Sequence, residues 1–216
     1  MPEAQQQIII RNSTEADVPA MLAIYRHHIS QGVDELGAVA DEPMREEDLK
    51  ARRKNMKKKR LPHLVAEIAG EVAGYAYAVP FRKRPAYLFT LKHSIYMHPG
   101  YVRAGIGRKL LPALIEACAK EGYFQLVGYI DAANEASLKL HEACGFQRAG
   151  LLKAVAFKYG HWSDMVMVQR FLGDDPNAVP RAGGDASRLT VYRAFQVGLR
   201  EVVTHEQKRA LTGMRQ

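Results

Sequence analysis

The sequence predicts an α/β protein, and three patterns along its 216 residues carry that prediction. Residues 18–29 place apolar side chains three and four positions apart, which is the spacing of an amphipathic helix. Two apolar runs, 63–68 and 72–79, flank Ala69-Gly70-Glu71, and this arrangement is typical of a β-hairpin. Residues 95–146 alternate between strand-like and helix-like segments and include a glycine-bearing turn. Strands and helices therefore alternate along one chain.

Length and composition narrow the class of protein. A hydrophobic content of 47% with 25% charged residues is ordinary for a globular chain, and the length fits one domain with an appendage. No apolar run approaches the roughly 20 residues that cross a bilayer, and the first residues lack the pattern of a signal peptide. The two cysteines, Cys118 and Cys144, define no disulfide framework. We therefore expect reduced cysteines, a cytoplasmic protein and no membrane partner.

The net charge of +8 raises the question whether the protein binds nucleic acid. Much of the positive charge lies in residues 52–60, near the end of a predicted polar helix over 45–59, where cations complement the helix dipole. No aromatic residues or recognition motif accompany this run. We predict no nucleic-acid partner, and the positive field would instead assist capture of a small polyanion.

The first third of the chain predicts a strand, a helix and a loop. Residues 8–10 form a short apolar strand, and the Ser-Thr-Glu-Ala-Asp run after it is typical of a helix N-terminus. On the helix that follows, Tyr25 and His28 could reach a substrate pocket, but we assign Tyr25 to packing and His28 to the helix surface. Residues 31–43 then form an irregular loop.

A basic loop follows the second hairpin strand, which is small on one face and aromatic on the other. Arg82 and Arg84 in this loop carry guanidinium forks of the kind that bind a substrate carboxylate, and a solvated turn is the alternative. The next strand, 89–97, leads into a turn that carries glycine residues.

The glycine turn opens a helix over 105–120. The first N–H groups of a helix lie at the positive end of its dipole, so this turn predicts a phosphate or pyrophosphate site, which Gly105 and Gly107 allow an anion to approach closely. A P-loop would need Gly-Lys-Ser/Thr after the second glycine. A dinucleotide fingerprint would need a third glycine where Leu110 stands. Both nucleotide motifs are therefore absent.

The pattern continues through a second strand to Asn-x-x-Ser-x-x-Leu-His-x-x-x-Gly-Phe at 134–146. Strand, x-x-Gly-x-Gly, helix, strand and this motif together resemble the acyl-CoA-binding core of the GNAT-superfamily N-acetyltransferases. The resemblance is closer to the phosphinothricin-type, small-amino-acid branch, and it covers roughly residues 8–172. It includes further runs at 84–87, 93–99, 151–153 and 157–164.

The resemblance implies the GNAT fold, a mixed and mostly antiparallel twisted sheet flanked by helices, with a splayed strand pair that forms the acyl-CoA cleft. It also implies that acetyl-CoA is the cofactor and that an amino group of a small amino acid, such as phosphinothricin or methionine sulfone, is acetylated. No metal is implied. The family pattern assigns substrate contacts to Arg82, Arg84 and Tyr87, and it assigns the cofactor to Ile95, Tyr96, Met97, Arg103, Ala104, Gly105, Ile106, Gly107, Arg108 and Asn134.

The sequence departs from this branch at the general base. Lys92 stands where the family commonly has Glu, and a protonated lysine cannot accept a proton unless burial depresses its pKa strongly. His93 is adjacent, but alternation along a strand points it to the opposite face. A water chain is the remaining route.

His141 stands where many GNAT enzymes have a Tyr that protonates the thiolate, so it is a candidate acid or relay; a helix histidine satisfied by a neighbour is the alternative. Val102 replaces the usual Gln or Arg, so we expect weaker but intact CoA binding. Residues 32–37 lack the Thr and Phe that often line the substrate site. Lys92 and His141 are thus the catalytic candidates.

Two other functions remain open from the sequence. One is acetylation of a peptide N-terminus or a polyamine, and the other is a CoA-binding protein without catalysis, which Lys92 suggests. We predict an acetyltransferase domain over 1–172 and a Pro- and Gly-rich linker over 173–187. An amphipathic tail over 188–216 follows, and it packs on its own domain or against a second copy in a homodimer.

Overall fold

The computed structural model describes residues 7–30 and 45–173. Predictions for the loop 31–43 and for the linker and tail after Gly173 lie outside these residues. Short 3-10 turns separate some of the elements. In the two ranges the chain forms the following strands and α-helices: β1 (Ile8–Asn12), α1 (Val18–Ser30), α2 (Glu46–Lys58), β2 (His63–Ile68), β3 (Glu71–Pro80), β4 (Thr90–Met97), α3 (Ile106–Lys120), β5 (Gln125–Asp131), α4 (Glu135–Ala143), β6 (Gln147–Lys158) and β7 (His161–Phe171).

The seven strands form one sheet in the order β1-β2-β3-β4-β5-β7-β6. Five of the neighbouring pairs are antiparallel, and β4 with β5 is parallel. A parallel pair needs a crossover between its strands, and α3 supplies it. The mixed, mostly antiparallel sheet that the resemblance implies is confirmed.

Helices cover both faces of this sheet. Tyr75 on β3 stacks on Tyr96 of β4, and Tyr25 of α1 meets Tyr96 edge-on at 5.9 Å, so these rings lie on the α1 face. Gly74 faces the other way, because a Cβ at this position would lie 3.4 Å from the side chain of Ile106 in α3. The apolar side chains of α3 are buried against that second face and complete the core.

The parallel pair opens shortly after it begins. Only residues 90–92 of β4 pair with 125–127 of β5. Beyond them, β4 continues to pair with β3 up to Met97, and β5 continues to pair with β7 up to Asp131. Both strands therefore stay regular while the space between them widens, as the predicted splayed pair requires.

The ends of α3 follow the glycine positions in the sequence. Gly105 caps the start of α3 with φ of 80°, and Gly122 follows the last helical turn with φ of 79°, as predicted. Pro112 lies on the exposed side of the same helix, which continues through it without a break. Among the described residues, no helix is long and apolar enough to cross a membrane.

Candidate active site

A cleft of about 580 Å³ lies where β4 and β5 part. Its walls come from β4, the glycine turn, the start of α3, β5 and α4, and His28 of α1 also contributes. Side chains from both faces of the sheet line it, so the cleft passes through the sheet. One mouth lies beside α3 and α4, and the other lies beside α1.

The glycine turn forms the α3 mouth. Arg103 has φ of 69° and Gly105 has φ of 80°, so two left-handed residues flank Ala104, and successive N–H groups in turns of this kind can form an anion-binding concavity. The positive φ of Arg103 is strained for a residue with a Cβ, and such strain is concentrated at functional sites. The first turn of α3, whose N–H groups have no acceptor within the helix, continues the same wall. This donor set fits a pyrophosphate.

Gly107 has a packing role in addition to the predicted one. A Cβ at this position would lie 2.8 Å from Cδ2 of Leu140 in α4, and Leu140 itself lines the cleft. The absence of a side chain at Gly107 thus lets α3 and α4 approach closely beside the cleft.

The structure brings most of the predicted cofactor residues together at the cleft. The exception is Ala104, whose N–H donates to the carbonyl of Tyr101 at 3.2 Å within the turn. Asn134 caps α4 by accepting from the N–H of Ser137 at 3.0 Å, and it also lines the cleft. The residues that line the cleft are Ile95, Tyr96, Met97, Arg103, Gly105, Ile106, Gly107, Arg108 and Asn134.

Two buried histidines meet in the cleft wall. Nε2 of His93 and Nε2 of His141 are 2.9 Å apart, and each residue is 2% exposed. Nδ1 of His93 lies 2.9 Å from the carbonyl of Val127, and Nδ1 of His141 lies 2.7 Å from the carbonyl of Ser137. His141 was predicted, whereas His93 was passed over in favour of Lys92. The strand alternation that turns His93 away from Lys92 is what points it toward α4.

These contacts constrain the protons of the pair. A carbonyl only accepts, so both Nδ1 atoms carry hydrogen, and the contact between the two Nε2 atoms is a hydrogen bond only when one of them is protonated. Burial opposes that charge: it lowers the pKa of His93 to about 3, with His141 contributing, and it also lowers the pKa of His141. The pair is therefore uncharged at neutral pH, and a proton that it takes up is released readily to a base in the cleft.

His28 also belongs to the site, although the sequence assigned it to the helix surface. Its Nε2 lies 2.8 Å from the carbonyl of Met97, and its ring centroid is 5.5 Å from that of Tyr96. It lines the cleft on the α1 side. Tyr25, by contrast, is buried in the core as predicted.

Besides Ala104, four predicted site residues lie outside the cleft walls. The guanidinium of Arg82 packs on the rings of Phe81 and Tyr87, and Arg84 is exposed in the same loop, which joins β4 at the end away from the glycine turn. Lys92 is partly buried, with Nζ 5.9 Å from the ring centroid of Tyr129. Tyr87 is 37% exposed. None of the four is brought to His141.

A charged pair that the sequence analysis did not identify lies at the α1 mouth. Asp131 ends β5 and lines the cleft, and Nζ of Lys158 is 3.6 Å from its Oδ2. The two side chains are 15% and 6% exposed. Oδ1 of Asp131 accepts from the N–H of Ala133 at 2.9 Å in the turn before α4.

A splayed parallel strand pair and a glycine turn that opens a helix beside it are the features of an acyl-CoA-dependent N-acetyltransferase. Residues 23–146 match the family model described as the acetyltransferase (GNAT) family, and the chain belongs to this family. Its cofactor is accordingly acetyl-CoA.

Alignments with named relatives cover most of the chain. Phosphinothricin N-acetyltransferase of Alcaligenes faecalis is 42% identical over 79% of this chain and 86% of its own length. L-methionine sulfoximine/L-methionine sulfone acetyltransferase of Pseudomonas aeruginosa is 34% identical over 74% of this chain and 92% of its own. The crystal structure of a phosphinothricin acetyltransferase from Sinorhizobium meliloti in complex with AcCoA is 36% identical, with a TM-score of 0.75, and the match covers 82% of this chain and 94% of that one.

Proposed function

We propose that this protein transfers the acetyl group of acetyl-CoA to the amino group of a small amino acid or analogue, such as phosphinothricin or methionine sulfone. The observation that carries the proposal is the cleft that passes through the sheet, because it offers the two reactants separate mouths that meet between β4 and β5. The names of the relatives from Alcaligenes faecalis and Pseudomonas aeruginosa support the substrate class.

When bound, acetyl-CoA supplies the acetyl thioester as the electrophile. The turn at 103–108 and the start of α3 would hold the pyrophosphate, and N–H groups of β4 between Ile95 and Met97, on the edge that parts from β5, would hold the thioester oxygen. The acceptor's ammonium group would first lose one proton to water, and its nitrogen would then attack the carbonyl carbon as the carbon–sulfur bond breaks. The nitrogen would lose a second proton, and the sulfur would gain one. Holding the two reactants in line supplies a large part of the rate.

In this proposal the pair of His141 and His93 relays the proton to the sulfur: it is uncharged at rest, takes up a proton that the amine has released to water in the cleft, and passes it to the thiolate. Both rings line the cleft, and their contact of 2.9 Å lets a proton pass from one to the other. The low pKa of each ring favours release of that proton once a thiolate lies beside it. His141 is therefore the acid or relay, and His93 exchanges the proton with it.

Two other roles stay predictions. A base role for Lys92 would need a neutral amine, and Lys92 does not line the cleft. The carboxylate clamp of Arg82 and Arg84, with Tyr87 beside it, would need the loop before β4 to reach the substrate from outside the cleft walls.

We further propose a homodimer in the cytoplasm. The support for a dimer is a group of large apolar side chains, each 42–63% exposed, on β6, β7 and their turn, where β6 is an edge strand of the sheet. Apolar patches of this kind mark interaction sites. The support for the cytoplasm is the free state of Cys118 and Cys144. We name the exposed group the β6 patch, and it comprises Leu151, Leu152, Val155, Phe157, Tyr159 and Trp162.

The test of the proposed activity is acetyl-CoA turnover, followed as free-thiol release, against methionine sulfone, methionine sulfoximine, phosphinothricin and the common amino acids. Spermidine and a short peptide serve as comparison acceptors. We expect turnover on the amino acids. Turnover confined to spermidine or the peptide would move the substrate class, and the proposal would then be wrong.

A further inference from the structure

Under the proposed function the cofactor would occupy the α3 mouth of the cleft, so the acceptor amine would approach from the α1 mouth. Side chains alternate along β5, and a Cβ at Gly128 would lie 2.7 Å from the ring of His93, so Gly128 faces α4. Tyr129 and Asp131 alternate with it, and they face the α1 mouth. Ser94 and Tyr96 of β4 form the opposite wall of this mouth.

This wall has one feature that suits an ammonium group. Among residues 7–30 and 45–173, Asp131 is the only carboxylate that lines the cleft. At neutral pH an amino-acid acceptor arrives as an ammonium ion, and a carboxylate with which it makes a charge-assisted hydrogen bond is its natural partner. The position on β4 where the resembling family has Glu carries Lys92, whose charge would repel the ammonium group.

Lys158 is the ion-pair partner of this carboxylate. Its side chain is 6% exposed, and a buried ammonium group requires a counter-ion close by. The separation of 3.6 Å makes the two groups an ion pair but is too long for a hydrogen bond, so the pair itself does not use the lone pairs of Oδ2. Oδ1 is engaged by the N–H of Ala133, which fixes the orientation of the carboxylate.

We infer that Asp131 binds the ammonium group of the acceptor and orients it toward the thioester, with Lys158 as a positioning residue behind it. The inference rests on the proposed function and adds the group that recognises the substrate. Asp131 touches the substrate, whereas Lys158 acts through Asp131. The competing explanation is that Asp131 serves only the turn before α4 and the ion pair.

Asp131→Asn separates these explanations, because the amide oxygen still accepts from Ala133 while the negative charge is lost. We expect the KM of the amino-acid acceptor to rise about 10- to 100-fold, the loss of a hydrogen bond to a charged group, with the KM of acetyl-CoA nearly unchanged. A competitive inhibitor that lacks the amino group, the des-amino analogue of the best acceptor, should keep its Ki. Glu135→Gln is the matched control, since Glu135 begins α4 and pairs with Lys139 but does not line the cleft.

The double variant Asp131→Asn/Lys158→Met guards against a folding effect, since it removes both charges of the ion pair whereas the single variant removes only one. We expect it to recover thermal stability relative to Asp131→Asn and to keep the raised acceptor KM. An equal rise in the acceptor KM and in the Ki of the des-amino analogue, or an unchanged acceptor KM, would overturn the inference and leave the proposed function intact. If the wild-type protein acetylates no amino acid, the proposed function fails and this inference fails with it.

Discussion

At the scale of single residues, the role proposed for the two histidines in the cleft wall depends on their burial. His93 and His141 each give one nitrogen to a backbone carbonyl and share the other contact between them. This geometry fixes both rings, so that neither has to reorganise when a thiolate forms beside it. Preorganisation of this kind is where proton transfer gains its advantage over water.

His141→Gln tests the role of the acid. Because general acid catalysis contributes at least about 100-fold, we expect kcat to fall by about that factor while the KM of acetyl-CoA changes little. Steady-state kinetics across pH measures both constants. His161→Gln is the matched control, since His161 is exposed at the start of β7 and lies outside the cleft. An unchanged kcat would assign His141 to packing alone.

Gly128→Ala tests the position of His93. The new Cβ would lie 2.7 Å from the His93 ring and 3.1 Å from Val168, and hydrogen bonds hold the ring in place. Overpacking in a filled core costs about 1–3 kcal/mol of unfolding free energy, and a displaced ring should also lower kcat. Gly150→Ala is the control, because its Cβ would meet only Met167 at 3.7 Å. Denaturant unfolding that gives both variants the wild-type free energy would contradict this packing.

Sequence reasoning identified part of the site and missed part of it, for physical reasons. Asn134 and His141 lie in one helix motif, so spacing along the chain was enough to find them. His93 was considered in the sequence, but its contact with His141 depends on the packing of β4 against α4 at that position. Asp131 could not be found, because its role depends on the splay of the strands and on Lys158, which reaches it from β6.

At the scale of whole elements, local sequence signals predicted where a helix or strand begins and ends better than which elements lie next to it. Capping residues and glycines placed the ends of α3 within a residue, and the hairpin of β2 and β3 followed from its turn. The insertion of β7 between β5 and β6 has no local signal, since it pairs strands that α4 and β6 separate along the chain. It also leaves β6 as an edge strand, and only the structure shows that the β6 patch is exposed.

The β6 patch makes a prediction about assembly. Trp162 and Phe157 pack on each other at 5.2 Å and are 63% and 53% exposed. If they meet a second copy, Trp162→Lys should convert a dimer into a monomer, because it places a charge in an apolar contact. Light scattering coupled to size exclusion measures the mass of both forms. Ile9→Lys is the control, since Ile9 is 45% exposed on β1, at the opposite edge of the sheet. A wild-type monomer at high concentration would contradict the dimer.

At the scale of the whole molecule, buried histidines make the free energy of unfolding depend on pH. His63 stacks on Tyr77 at 5.5 Å on the α1 face, and His93 and His141 lie in the cleft wall. Burial is the main cause that lowers the pKa of each, to about 4 for His63 and to about 3 for His93. Arg53 and Arg52 add to the effect at His63. The folded protein therefore excludes protons that the unfolded chain binds.

The sign of the pH dependence follows from this difference. Below pH 6.5 the unfolded chain binds protons at these histidines and the folded protein does not, so the free energy of unfolding falls as pH falls. Each such histidine contributes a slope of up to about 1.4 kcal/mol per pH unit. We expect denaturant unfolding at pH 7, 6 and 5 to show a steady loss of stability.

The variant His63→Phe keeps the stacked ring and removes the titrating group, so it should reduce the slope of the unfolding free energy between pH 6.5 and 4. The control His161→Gln, at an exposed position, should leave that slope as in the wild type. A free energy of unfolding that stays flat over this range would show that these rings are protonated in the folded protein as readily as in the unfolded chain.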